Sequence, residues 1–115
     1  MRLTITEQHL DKAIADETFR SRPTSCPIAQ GIRERFPEPV YLGVTPDHAS
    51  VRPSYDYGDM HTYRLSSTAQ RVVDLFDVVE PNKNGVRRMK VVAAHITREK
   101  LRAMLPVTVI LKEVK

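Results

Sequence analysis

Proline cuts this chain into short pieces, and that limits what it can build. Pro27 suits the first turn of a helix, where a missing N–H leaves nothing unpaired, and Pro37 ends the same helix. Pro46 stands second in the turn Thr45-Pro46-Asp47-His48, and Pro81 opens the turn Pro81-Asn82-Lys83-Asn84-Gly85. Pro106 stops a last helical stretch. Between Pro27 and Pro37, and again between Pro37 and Pro46, an element has room for fewer than three turns of helix or for one short strand.

The apolar periods say which is which. Leu3-Thr4-Ile5 alternates as a first strand, and Thr6 caps a helix from Glu7 to about Asp16 whose apolar side is Leu10, Ala13 and Ile14. A second helix is expected from Ser25, with Cys26 and Pro27 in its first turn, Ile28, Ile32 and Phe36 as a stripe and Ala29 beside it. Val40–Val44 reads as a strand that returns as a hairpin at Ala49–Val51, and residues 53–60 read as a loop. A strand at His61–Leu65 follows. Ser67-Thr68-Ala69-Gln70 matches a capping box for a helix with Ala69, Val72, Val73 and Phe76 on one face. A strand over Val86–Ala94, a helix capped by Thr97 through Met104 and a strand over Val107–Val114 complete the order β-α-α-β-β-β-α-β-α-β. Such an order predicts an α+β fold, a mainly antiparallel sheet with helices packed on one face. At 115 residues the chain fits a single domain, residues 1–115, and its pattern leaves the strand order open.

Trp is absent and aromatics make up 6% of the chain, so the core must rest on Val, Ile, Leu and Ala. No apolar run approaches the roughly 20 residues that span a bilayer, so no membrane partner is expected. One cysteine cannot form an internal disulfide, and the N-terminus meets acidic residues too early for a signal peptide. The expected compartment is the cytoplasm.

Chemistry-bearing motifs are sparse. Cys26, at a helix start, would feel the positive end of the dipole, but no second cysteine exists and no histidine is near it in sequence. His9, His48, His61 and His95 lack the spacing of zinc ligands, the nearest grouping being His61 with Asp56 and Asp59. Gly31, Gly43, Gly58 and Gly85 are too far apart to cradle a phosphate, and there is no nucleophile elbow. The reading assigns no catalytic, metal or cofactor residue and expects a protein that is not an enzyme.

Charge is the stronger signal. Residues 1–80 hold 9 Lys/Arg against 12 Asp/Glu (net −3), and residues 81–115 hold 9 against 2 (net +7), which together make the net +4 of the chain. Lys83, Arg87, Arg88, Lys90, Arg98, Lys100 and Arg102 form the densest part, opposed there only by Glu99. On a strand Arg88 and Lys90 would share one face, and on a helix Arg98 and Arg102 would make a one-sided ridge. These seven are the candidate contacts for nucleic acid or for an acidic partner. A second candidate interface is the tyrosine-rich stretch of Tyr55, Tyr57 and Tyr63, whose acidic neighbours suit a protein partner or head-to-tail self-association into a homo-oligomer.

Three blocks taken together resemble short bacteriophage and prophage proteins. They are Leu3-Thr4-Ile5-Thr6-Glu7-Gln8-His9-Leu10, Ser25-Cys26-Pro27-Ile28-Ala29-Gln30-Gly31-Ile32 and Ala69-Gln70-Arg71-Val72-Val73-Asp74-Leu75-Phe76-Asp77. In that group an N-terminal strand and helix precede a Cys-Pro-Ile-Ala helix start. The resemblance implies an accessory protein with no agreed activity, and it sets residues 82–105 apart as a basic insertion. The expected function is to bind and modulate a host macromolecule, foremost a host protein as an inhibitor or anti-defence factor. The alternative is nucleic-acid binding through the basic 83–102 surface.

Overall fold

A computed structural model describes residues 1–16, 25–53, 60–77, 79–81, 87–89 and 94–114. In chain order the elements are β1 (Arg2–Ile5), α1 (Glu7–Asp16), α2 (Pro27–Arg35), β2 (Tyr41–Val44), β3 (His48–Arg52), β4 (His61–Leu65), α3 (Ser67–Asp77), β5 (Val79–Pro81), β6 (Arg87–Met89), α4 (Ala94–Met104) and β7 (Val107–Glu113). Five strands make one antiparallel sheet in the order β1-β7-β4-β3-β2, and β5 and β6 make a separate antiparallel pair. The fold is α+β, as the periodicity predicts.

Alternation sorts the sheet into two faces. Leu3, Ile5, Leu42, Val44, Ala49, Val51, Tyr63, Leu65, Val109 and Leu111 point to one side and are buried there with Ile28, Ile32, Val72, Val73 and Phe76 of α2 and α3. α2 touches both β1 and β2, the two edge strands, so the sheet curls around that helix. The close approach of α2 to β1 needs Gly31, where an added Cβ would lie 2.9 Å from Ile5 Cδ1 and 3.3 Å from Leu3 Cδ1. Arg35 closes part of the β1 edge, its Nη2 donating to the Arg2 carbonyl at 2.8 Å. α4 packs on α3 and places Leu101 in the same core, although it falls within the segment that the resemblance sets apart.

Three local expectations are corrected. α2 begins at Pro27 with Cys26 as its N-cap, two residues later than expected, because Pro27 takes the first helical position. The cap of α3 is Ser66, whose Oγ accepts from Ala69 N–H at 3.3 Å; the same oxygen takes the Ile110 N–H at 3.3 Å, so the helix start is stitched to β7. Of the strand expected over Val86–Ala94 the described part is β6, which pairs with the unforeseen β5, residues 86 and 90–93 lie outside the described residues, and α4 begins at Ala94, ahead of Thr97. Short strands such as Val79–Pro81 carry too few residues to show a period.

At the start of α1, His9 does what Glu or Gln does in a capping box. Thr6 N–H donates to His9 Nδ1 at 2.8 Å, while His9 Nε2 carries the proton that goes to Glu34 on α2. His9 is buried and ties α1 to α2. The Thr6 hydroxyl also lies 3.0 Å from Nδ1, but the lone pair that a general base would offer is already occupied by the backbone N–H.

Candidate functional site

The other face of the sheet has no helix or strand over it among the described residues. Its side chains are the polar positions of each strand: Arg2 and Thr4 on β1, Thr108, Ile110 and Lys112 on β7, Thr62 and Arg64 on β4, His48, Ser50 and Arg52 on β3, and Tyr41 and Gly43 on β2. None is a carboxylate. The only acidic residue of these five strands, Glu113, has the inward parity and accepts a hydrogen bond from His61 Nδ1 at 2.9 Å. Among the described residues Arg2, Arg52, Arg64 and Lys112 enter no ion pair.

The register lines these groups up. Lys112 stands directly opposite Arg64, and Arg64 directly opposite His48, so two cations and an imidazole form a file across β7, β4 and β3. Adjacent strands are about 4.8 Å apart, and like charges directly opposite destabilise a sheet. Arg64 and Lys112 also line a shallow hollow of about 200 Å³ with Glu113 and Val114. The next file is small and smooth: Gly43 faces Ser50, and Ser50 faces Thr62, their hydroxyls 3.4 Å apart. Beyond it Tyr41 faces Arg52.

Tyr41 has an unusual posture. Its hydroxyl lies 2.6 Å, and its ring carbons 3.2 and 3.4 Å, from where a Cβ on Gly43 would be, so the ring reclines along β2 over the glycine. It remains 51% exposed, so about half of the side chain is open to solvent. Of the exposed large apolar residues Tyr41, Met60, Ile110 and Val114, the first and third lie on this face and Val114 lines its hollow.

The residues singled out by sequence are placed differently. Lys83, Lys90, Tyr55 and Tyr57 lie outside the described residues, as do Asp56 and Asp59. Arg87 and Arg88 fall on β6, where the register sets Arg88 opposite Glu80. Arg98 lies over the ring of Phe76, its guanidinium carbon 4.5 Å from the centroid. Arg102 donates to Asp11 at 2.9 Å, with Glu7 at 3.9 Å and Glu99 at 4.0 Å; the Asp11 hydrogen bond is the main cause holding its pKa above the usual arginine value. The helical ridge expected from Arg98 and Arg102 is thus turned onto the protein itself, while Lys100 is exposed. Tyr63, expected at an interface, is instead a core residue at 8% exposure, because alternation along β4 turns it under the helices. Cys26 carries a buried thiol outside any disulfide, 1% exposed.

Sequence reasoning missed Arg2, Tyr41, His48, Arg52, Arg64 and Lys112. The signal was present in the polar half of each alternating strand, which holds cations and hydroxyls and no acid. Among the described residues no three His, Cys, Asp or Glu side chains gather as metal ligands would, and no helix is long and apolar enough to cross a membrane. Comparisons with protein families, with curated proteins and with solved structures found no match.

Proposed function

We propose that this protein is a non-enzymatic accessory protein, of the phage and prophage kind, that binds a host macromolecule of negative charge through the outer face of its sheet. The observation that carries this reading is the carboxylate-free face with Lys112, Arg64 and His48 in one file. Stability alone favours separating like charges across strands, so a file of them is better accounted for by an anionic partner. The face also has the make-up of a contact surface, with cations around exposed apolar side chains.

Retention on heparin provides the test, with a control that matches total charge. The pair Arg64→Glu and Lys112→Glu should elute at much lower salt than the wild type. The pair Lys12→Glu and Lys100→Glu, on exposed helix positions, makes the same change in net charge and should lower retention far less. Equal losses from the two pairs would mean that retention follows overall charge, and the reading would fall.

A further inference from the structure

Resting on that reading, we infer that the partner at the outer face is a single-stranded nucleic acid, with one base stacked on Tyr41 and phosphates held by Arg52 and the Lys112–Arg64–His48 file. Four features of the face favour this occupant over an acidic protein segment.

The first is the posture of Tyr41. A tyrosine standing away from a sheet serves as a knob for a pocket in a protein partner. Here the missing side chain at Gly43 lets the half-exposed ring lie along the sheet instead of projecting from it. Any base offers a π-face to such a platform, which is how sheet surfaces hold single strands. The second is the position of Arg52 directly across from Tyr41, where it can meet the phosphate next to a stacked base. The third is the middle of the face. Protein–protein interfaces tend to exclude lysine from their centre, whereas this face has Lys112 beside Arg64 over a hollow with room for a phosphate, whose one carboxylate, Glu113, is engaged by His61. The fourth is the strip of Ser50 and Thr62, between the Tyr41 ring that covers Gly43 and the cationic file. It is low enough for a chain to cross, and its hydroxyls can donate to phosphate or sugar oxygens.

A duplex fits poorly. Its bases are stacked on one another and cannot reach Tyr41, and the face presents no helix to enter a major groove. The inference is therefore specific to unpaired strands.

Fluorescence anisotropy with labelled oligothymidylate and oligouridylate of about twelve nucleotides tests it, a length within the range bound by small single-strand modules. A blunt duplex of equal length and a polyglutamate peptide serve as competitors. The three cations Arg52, Arg64 and Lys112 predict that the logarithm of affinity falls against the logarithm of salt with a slope of about −2.1, and Arg64→Ala with Lys112→Ala should bring it to about −0.7. Tyr41→Ala should weaken binding about tenfold, about 1.4 kcal/mol, while Tyr41→Phe keeps the affinity. Gly43→Ala should also weaken it, because the new methyl displaces the tip of an exposed side chain, and its melting temperature should stay near that of the wild type. Duplex that competes as well as single strand, or Tyr41→Ala that binds like wild type, overturns the inference. Polyglutamate that displaces the oligonucleotide equally well overturns it too, and leaves the broader anionic-partner reading standing. Heparin retention that falls no further for the Arg64 and Lys112 pair than for the Lys12 and Lys100 pair would remove both.

Discussion

The molecule holds two sets of basic residues, and they differ in almost every respect. One is dense in sequence, with seven cations between Lys83 and Arg102, and where it is described much of its charge is directed at the protein itself. Arg98 covers Phe76, and Arg102 bridges α4 to Asp11 on α1. The other set is scattered along the chain, at Arg2, Arg52, Arg64 and Lys112, and the sheet gathers it on one face without an ion-pair partner among the described residues. Density along a chain reports what one element offers. Density in space depends on register, and register is where the face that can act on something else is made.

The largest effect should come from the self-directed set. Phe76 is fully buried beneath Arg98 and belongs to the core between α3 and the sheet. Phe76→Ala should lower the free energy of unfolding by about 3–5 kcal/mol, through the cavity it leaves and the loss of the ring under the guanidinium. Denaturant unfolding of the purified variant measures this. A loss below about 1 kcal/mol would mean that α4 and its cations are not anchored there, and the contrast between the two sets would weaken.

How much of this was legible follows from the same contrast. The helices with caps and clear stripes were readable: Thr6 with Leu10 and Ala13, Ile28 with Ile32, Val72 with Phe76. So were the strands whose apolar residues alternate over several positions, such as Val107–Glu113. Val79–Pro81 was not, because three residues show no period. The strand order was not either, since β7 lies between β1 and β4 only through contacts distant in sequence. Without that order Arg64 and Lys112, forty-eight positions apart, give no hint of facing each other. Only the sign of the face could have been read, from the absence of acid among outward strand positions.

The scattered set gives a prediction of the opposite sign. Arg64 stands between His48 and Lys112 and is exposed, so removing its charge relieves repulsion without opening a cavity. Arg64→Thr, which keeps a good strand former, should raise stability by about 0.2–1 kcal/mol while lowering affinity for anions. Added salt should shrink the stability gain, since it screens the same repulsion in the wild type. A loss of stability in low salt would show that Arg64 has a structural task and would blur the distinction between the two sets.

The smallest effect concerns the two tyrosines that the sheet sends to opposite sides. Tyr41 reclines on the outer face, whereas Tyr63 is buried on the inner one and faces Glu113 in the register. Burial, and then the charge of Glu113, raise the pKa of Tyr63 above the ordinary value of 10.0. The sign follows from proton counting. The folded chain holds the phenolic proton more tightly than the unfolded chain, so between the unfolded pKa and the higher folded one the unfolded state binds fewer protons. The contribution to stability is therefore complete below about pH 10 and is lost as pH rises through the folded value. Tyr63→Phe removes this dependence, because it takes away the ionisable group and little of the buried ring. Unfolding followed at a series of alkaline pH values should show the wild type declining more steeply than Tyr63→Phe. Parallel declines would mean that Tyr63 is no harder to ionise than a tyrosine in water, and that the inner face is wetter at β4 than its burial indicates.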